Sequence, residues 1–309
     1  MSRCYPLSAG MAAFVERSLA FASAETSLAA QRTAYSRMAA AFTPVPPPGL
    51  CVRDLALPGL PPLRVFQPTR AAPPGGWPAV LFLHGGGWMF GGLDSHAFLC
   101  AELAARLGLL VLAVDYRLAP EHPFPAALQD SLAAWRALRD GVLGLAVDRE
   151  RLALLGDSAG GNLAAALCLA LRDAGEAQPR LQALIYPALG DEATASRSDC
   201  ADAPLLSSAD MQACLDAYLP HPAQRRRPLA LPLRAAHLGG LAPAFIAVAE
   251  FDPLRDDGLR YAERLRGDGV AAGYFPGHGL VHGCLRARGL AEVDALYAAL
   301  FEALARALD

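Results

Sequence analysis

Six short apolar runs, near 79–83, 109–115, 152–155, 182–186, 244–249 and 270–275, alternate with stretches of helical pattern along this chain. Strands this apolar are buried on both faces, and the helices between them act as crossovers joining parallel neighbours. The alternation predicts an α/β fold with a mostly parallel central sheet covered by helices on both faces. Two earlier runs, 52–57 and 63–67, alternate in polarity and are split by Pro58-Gly59, so the sheet should start antiparallel. Loops leaving parallel strands gather along one edge, where residues distant in sequence can meet.

The run 152–155 leads into Gly156-Asp157-Ser158-Ala159-Gly160, and a helix-compatible stretch follows from Asn162. Strand, sharp turn and helix around G-x-S-x-G would leave Ser158 Oγ exposed at the carboxyl edge of the sheet, ready for acyl transfer. The string also arises as an ordinary strand-to-helix turn, so its surroundings matter. Upstream, the run 79–83 enters His84-Gly85-Gly86-Gly87-Trp88. Two glycine N–H groups of that loop, with the N–H of Ala159, could surround a developing oxyanion.

A serine hydroxyl needs a base, and the base needs an orienting group. The chain has no lysine, which removes Ser-Lys dyads, Walker-type phosphate loops and pyridoxal Schiff bases together. Of seven histidines, His84 belongs to the glycine loop and reads as structural, while His96, His122, His221 and His237 fall in helix starts or loops. His278 and His282 follow the last strand-like run, and His282, with Gly283 and a helical stretch after it, is the favoured base. The run 244–249 ends in Glu250-Phe251-Asp252-Pro253-Leu254-Arg255-Asp256-Asp257. Asp252 stands just past that strand, with Pro253 fixing the chain direction after it. Asp256 and Asp257 read as acids opening the next helix, Glu250 as a structural contact, and Asp157 as support for its own loop. The order Ser158, Asp252, His282 is that of α/β-hydrolases.

These blocks, together with the segment from Asp115-Tyr116-Arg117 through Pro125-Ala126, resemble the bacterial hormone-sensitive-lipase family (family IV) of carboxylesterases, in its G-D-S-A-G subgroup. The resemblance implies the α/β-hydrolase fold, an oxyanion hole from Gly86, Gly87 and Ala159 with Gly85 shaping the loop, and a helical cap. It also implies short- to medium-chain acyl esters as substrates and neither a metal nor an organic cofactor. Cys284 stands after His282-Gly283 where the family usually has an aromatic residue. Two other readings stay open: an amide or formamide hydrolase of the same fold, and a non-catalytic small-ligand receptor like the plant gibberellin receptors, which lack the base.

With 309 residues, 54% hydrophobic and 18% charged, the chain can bury a large core. A net charge of −3 gives no long-range attraction for nucleic acid or anionic membranes. Seven scattered cysteines without C-x-x-C spacing read as free thiols of a cytoplasmic protein. Glu16 and Arg17 interrupt any signal-peptide core, and the longest apolar helical stretch, 163–171, is too short to span a bilayer. A homodimer is compatible with all of this.

Residues 11–42 read as helical, with Phe14, Phe21, Leu28, Tyr35 and Phe42 recurring every seventh position and Met38 on the same face, before prolines at 44 and 46–48 break the pattern. The organisation expected is an N-terminal helical cap segment (1–48), a catalytic domain (49–190 and 234–309) and a cap insertion (191–233) carrying a helix near 208–219. Trp88, Met89, Tyr186, Leu205, Leu206, Met211 and Tyr218 are candidates for the substrate pocket, with plain core or cap packing an equal alternative.

Overall fold

The computed structural model describes residues 4–309. Its sheet has eight strands: β1 (Leu50–Leu55), β2 (Leu63–Pro68), β3 (Trp77–Leu83), β4 (Leu110–Val114), β5 (Val147–Asp157), β6 (Gln182–Ile185), β7 (Ala244–Ala247) and β8 (Ala272–Phe275), in the order β1-β2-β4-β3-β5-β6-β7-β8. The β1–β2 and β2–β4 pairs are antiparallel and every other pair is parallel. This is the predicted fold class. The order runs outward in both directions from β3 and β5, so the loops after these two central strands lie side by side.

The helices are α1 (Ala9–Leu19), α2 (Leu28–Ala41), α3 (Ala97–Leu107), α4 (Ala126–Asp140), α5 (Ala159–Asp173), α6 (Ala195–Asp199), α7 (Ser208–Tyr218), α8 (Arg255–Gly267) and α9 (Ala291–Leu308). Strand alternation divides the core between the two faces. Ala79, Leu81 and Leu83 of β3 share a cluster with Leu138 of α4, Leu167 of α5 and Tyr261 of α8. Val80 and Phe82 point the other way, into a cluster with Leu103 of α3 and Leu300 of α9.

The N-terminal pattern differs from a single continuous helix. Residues 20–27 interrupt it, and α2 restarts where Ser27 Oγ accepts from the Ala30 N–H at 3.3 Å. The two helices fold back on each other, so Phe14 and Phe42, at opposite ends of the seven-residue stripe, meet edge to face with centroids 5.1 Å apart. Arg32 ties α2 to the body through Glu121 at 2.7 Å and the carbonyls of Met89 and Ala119. Between β6 and β7, the segment holding α6 and α7 is anchored by Asp257. This acid does sit in the first turn of α8, but it is also buried, accepting from the N–H groups of Leu189 and Gly190 and pairing with Arg197 at 3.0 Å. No helix among the described residues is long and apolar enough to cross a membrane.

Candidate active site

Ser158 lies between the end of β5 and the start of α5 with φ 55° and ψ −118°, a conformation unusual for a residue with a side chain. Two glycines make it reachable. A Cβ at Gly156 would run into the Gly160 carbonyl, and one at Gly160 into the Leu83 carbonyl, so the turn can close and the helix can approach β3 only without side chains there.

His282 and Asp252 are brought together by backbone pairing. Phe251 and Val281 form a parallel bridge, with the Phe251 N–H donating to the Leu280 carbonyl at 3.0 Å. The next residue on each side is therefore Asp252 on one loop and His282 on the other. Asp252 is fully buried; its Oδ1 accepts from the Leu254 N–H at 2.8 Å and its Oδ2 lies 2.7 Å from His282 Nδ1. His282 Nε2 stands 2.9 Å from Ser158 Oγ, and the imidazole rests against the Tyr186 ring with centroids 4.5 Å apart. A carboxylate accepting from Nδ1–H leaves Nε2 bare, the tautomer that can take a serine proton. His278, the other late histidine, is exposed and lies 3.7 Å from Glu250, whose carboxylate accepts from the Gly279 N–H.

Gly86 and Gly87 have φ 126° and 58°. Among the described residues nothing accepts from their N–H groups or from that of Ala159, the first residue of α5, and all three residues line the cavity beside Ser158. Such free donors beside a nucleophile can stabilise an oxyanion. The loop is held from behind. Asp157 is buried and its Oδ1 accepts from the Gly85 N–H at 2.8 Å; the Tyr116 hydroxyl donates to the His84 carbonyl at 2.6 Å and its ring stacks on the His84 imidazole. Burial pushes the His84 imidazole down to about 4, with the neighbouring His96 adding to the effect. Burial would raise the Asp157 carboxyl, but its polar surroundings hold it below the usual carboxylate range.

The cavity encloses about 600 Å³. Trp88, Met89, Leu205, Leu206 and Met211 are among its walls. Tyr186 and Tyr218 are not: Tyr186 is packed behind His282, and Tyr218 is fully buried with its ring stacked on Trp88 at 4.4 Å. Each supports a wall residue instead of forming the wall. Phe14, Phe21, Tyr35 and Met38 also line the cavity. These four positions lie on the face marked by the seven-residue stripe, in the segment expected to act as a cap. Cys214 and Arg286 are wall residues that no sequence pattern singled out. Cys284 is fully buried in the core under α9. Among the described residues, no cluster of His, Cys, Asp and Glu could hold a metal ion.

Comparison with known proteins agrees with this fold. Residues 80–286 match a family described as having the α/β hydrolase fold. The chain is 41% identical over 241 residues to the esterase LipI of Mycobacterium tuberculosis, covering 76% of this chain and 75% of that one. It is 38% identical over 250 residues to an ethyl acetate hydrolase of Pseudomonas putida, covering 78% of each. Among solved structures, a thermostable esterase from Pseudomonas putida superposes with a TM-score of 0.90 at 31% identity, covering 100% of this chain and 99% of that one. A bacterial heroin esterase superposes with a TM-score of 0.87 at 31% identity, covering 96% and 98%.

Proposed function

Because the chain belongs to the hormone-sensitive-lipase-like carboxylesterases of the α/β-hydrolase fold and is an ester hydrolase, we propose that Ser158 is its nucleophile, His282 its base and Asp252 the orienting acid. The observation that carries this reading is the unbroken line Ser158 Oγ, His282 Nε2, His282 Nδ1, Asp252 Oδ2, with separations of 2.9 and 2.7 Å across its two gaps.

In the first half of the reaction, His282 takes the proton from Ser158 as Oγ attacks the ester carbonyl. The negative oxygen is met by the N–H groups of Gly86, Gly87 and Ala159, and His282 then returns the proton to the departing alcohol. In the second half, water gives its proton to His282 and attacks the acyl-serine, releasing the acid and regenerating Ser158. Asp252 holds the ring in the required tautomer and stabilises the imidazolium. No step calls for a metal or an organic cofactor.

The cavity's size and its apolar walls, Met89, Leu205, Leu206 and Met211, suit short- to medium-chain acyl groups. In this reading residues 1–48 and 191–233 form the cap over the catalytic domain of residues 49–190 and 234–309; residues 1–3 lie outside the described residues. Free cysteines throughout the described chain fit a cytoplasmic enzyme. We also assign it a homodimer along the outer edge of β8, the last strand of the sheet, which light scattering tests. Its net charge of −3 gives no long-range attraction for nucleic acid.

The decisive experiment is Ser158→Ala assayed with p-nitrophenyl esters from acetate to decanoate, beside a formamide substrate. Turnover should vanish in the variant while its circular dichroism is kept, and wild-type kcat/KM should peak at or below octanoate. Turnover by the alanine variant at a comparable rate would overturn the assignment, and preference for the formamide would replace the ester reading.

A further inference from the structure

Beside the oxyanion loop lies a group of charged and polar side chains to which the proposed reaction gives no part: the half-buried Tyr35 and the buried Ser95, His96, Asp157 and Arg286. Arg286 follows His282 by four residues and is 8% exposed. Its Nη2 lies 3.1 Å from the Ser95 carbonyl, 3.2 Å from the Tyr35 hydroxyl and 3.4 Å from His96 Nε2, and its guanidinium sits 5.6 and 5.4 Å from the Tyr35 and Phe98 ring centroids.

Counting protons gives the group its meaning. Ser95 Oγ donates its one hydrogen to the Gly92 carbonyl at 2.8 Å and accepts from the Gly92 N–H at 3.1 Å. With the hydroxyl hydrogen assigned to that carbonyl, the remaining contact, His96 Nδ1 at 2.9 Å, is a donor. Burial pushes the His96 imidazole down, favouring the neutral ring, and with the one ring proton on Nδ1 its Nε2 is bare. Yet that Nε2 stands 3.3 Å from Asp157 Oδ2, both side chains being buried. Two electron-rich atoms thus face each other in a low-dielectric interior, an arrangement that repels. Arg286 lies 3.4 Å from that Nε2 and supplies the positive charge that offsets the repulsion.

Asp157 is the residue whose other oxygen holds the Gly85 N–H, and a Cβ at Gly85 would collide with that carboxylate, so the contact is close as well as polar. We propose that Arg286 is a positioning residue of the oxyanion loop, its guanidinium holding the His96–Asp157 pair together and, through Asp157, fixing Gly85 immediately before Gly86 and Gly87. The inference rests on the reading of those two glycines as oxyanion donors. It gives the carboxyl-terminal turn after His282 a hold on the opposite side of the site, and Tyr35 of α2 a share in it.

The test uses the full chain with Arg286→Met, Arg286→Lys, and Arg286→Met combined with Asp157→Asn. The Asn side chain can still accept from the Gly85 N–H, while its amide can donate to the bare His96 Nε2, so the need for a cation disappears. Arg286→Met should lose at least thirtyfold in kcat at pH 8 with KM within about threefold of wild type. Relative to wild type the deficit should shrink at pH 6, where a proton on His96 replaces the missing charge. The titratable and charged groups facing His96 are His84, Asp157 and Arg286, and only Asp157 favours that proton. Arg286→Lys should stay within about fivefold of wild type, and the double variant should recover at least tenfold over Arg286→Met. If Arg286→Met fails to fold, the double variant should fold and turn over. A double variant no better than the single one, or a loss in Arg286→Met that is independent of pH and shared by KM, overturns the proposal. Turnover in Ser158→Ala would instead sink the underlying reading, whatever the Arg286 variants do.

Discussion

Gly160 of α5 lies so close to Leu83 at the end of β3 that a Cβ on the glycine would come well under 3.0 Å from the Leu83 carbonyl oxygen. The neighbour is backbone of a central strand and cannot turn aside. Gly160→Ala should therefore destabilise the protein by about 3 kcal/mol or more, the upper range for overpacking in a core. Urea unfolding of both proteins measures this, with the midpoint moving down and the slope unchanged.

Asp252→Asn separates orientation from packing. The amide oxygen can still accept from the Leu254 N–H, so the loop should keep its shape, but the other position now offers N–H to His282 Nδ1 and favours the wrong tautomer. We expect kcat for a p-nitrophenyl ester to fall by about 10³- to 10⁴-fold with little change in thermal midpoint. A loss below about tenfold would mean that another group orients the ring.

The strands could be read from the chain because each is an apolar run bounded by turn residues, and the elbow because glycine is required at fixed places around Ser158. Asp252 and His282 were legible for a topological reason: both follow strands whose carboxyl ends share one edge, and the Phe251–Val281 bridge then makes them adjacent. Composition gave no comparable handle on the cavity. Tyr186 and Tyr218 look like wall residues in sequence, yet wall and support differ only by which side of a ring faces the void. The stripe from Phe14 to Phe42 has one period across two helices, so periodicity alone could not reveal the interruption at 20–27. His96 and Arg286 fall outside every motif, because their significance comes from burial beside Asp157.

Gly87 carries two constraints at once. Its φ of 58° disfavours any side chain, and a Cβ there would press on Cys214 Sγ from α7. Gly87→Ala should lower kcat by roughly a hundredfold, as expected when an oxyanion donor is displaced. Adding Cys214→Ala relieves the steric part and should restore part of the rate, so the two substitutions will not be additive. Steady-state kinetics of the four proteins in the cycle give the coupling, and strict additivity would show that the backbone angle alone decides.

His84 links the oxyanion loop to acid stability. In the folded protein its imidazole titrates at about 4, chiefly because it is buried, whereas in the unfolded chain it should titrate near the ordinary value of 6.5. Between these values the unfolded state binds a proton that the folded state refuses, so stability rises with pH across the window. The contribution is fully present above about pH 6.5 and is lost as pH falls toward 4, amounting to about 3 kcal/mol at most. His96 is pushed in the same direction by its burial and should steepen the slope. Urea unfolding at half-unit steps from pH 7.5 to 4.5 measures it. Replacing His84 by Asn should flatten the dependence even if it lowers stability at pH 7, because the change in slope reports proton binding while the offset reports packing against Tyr116.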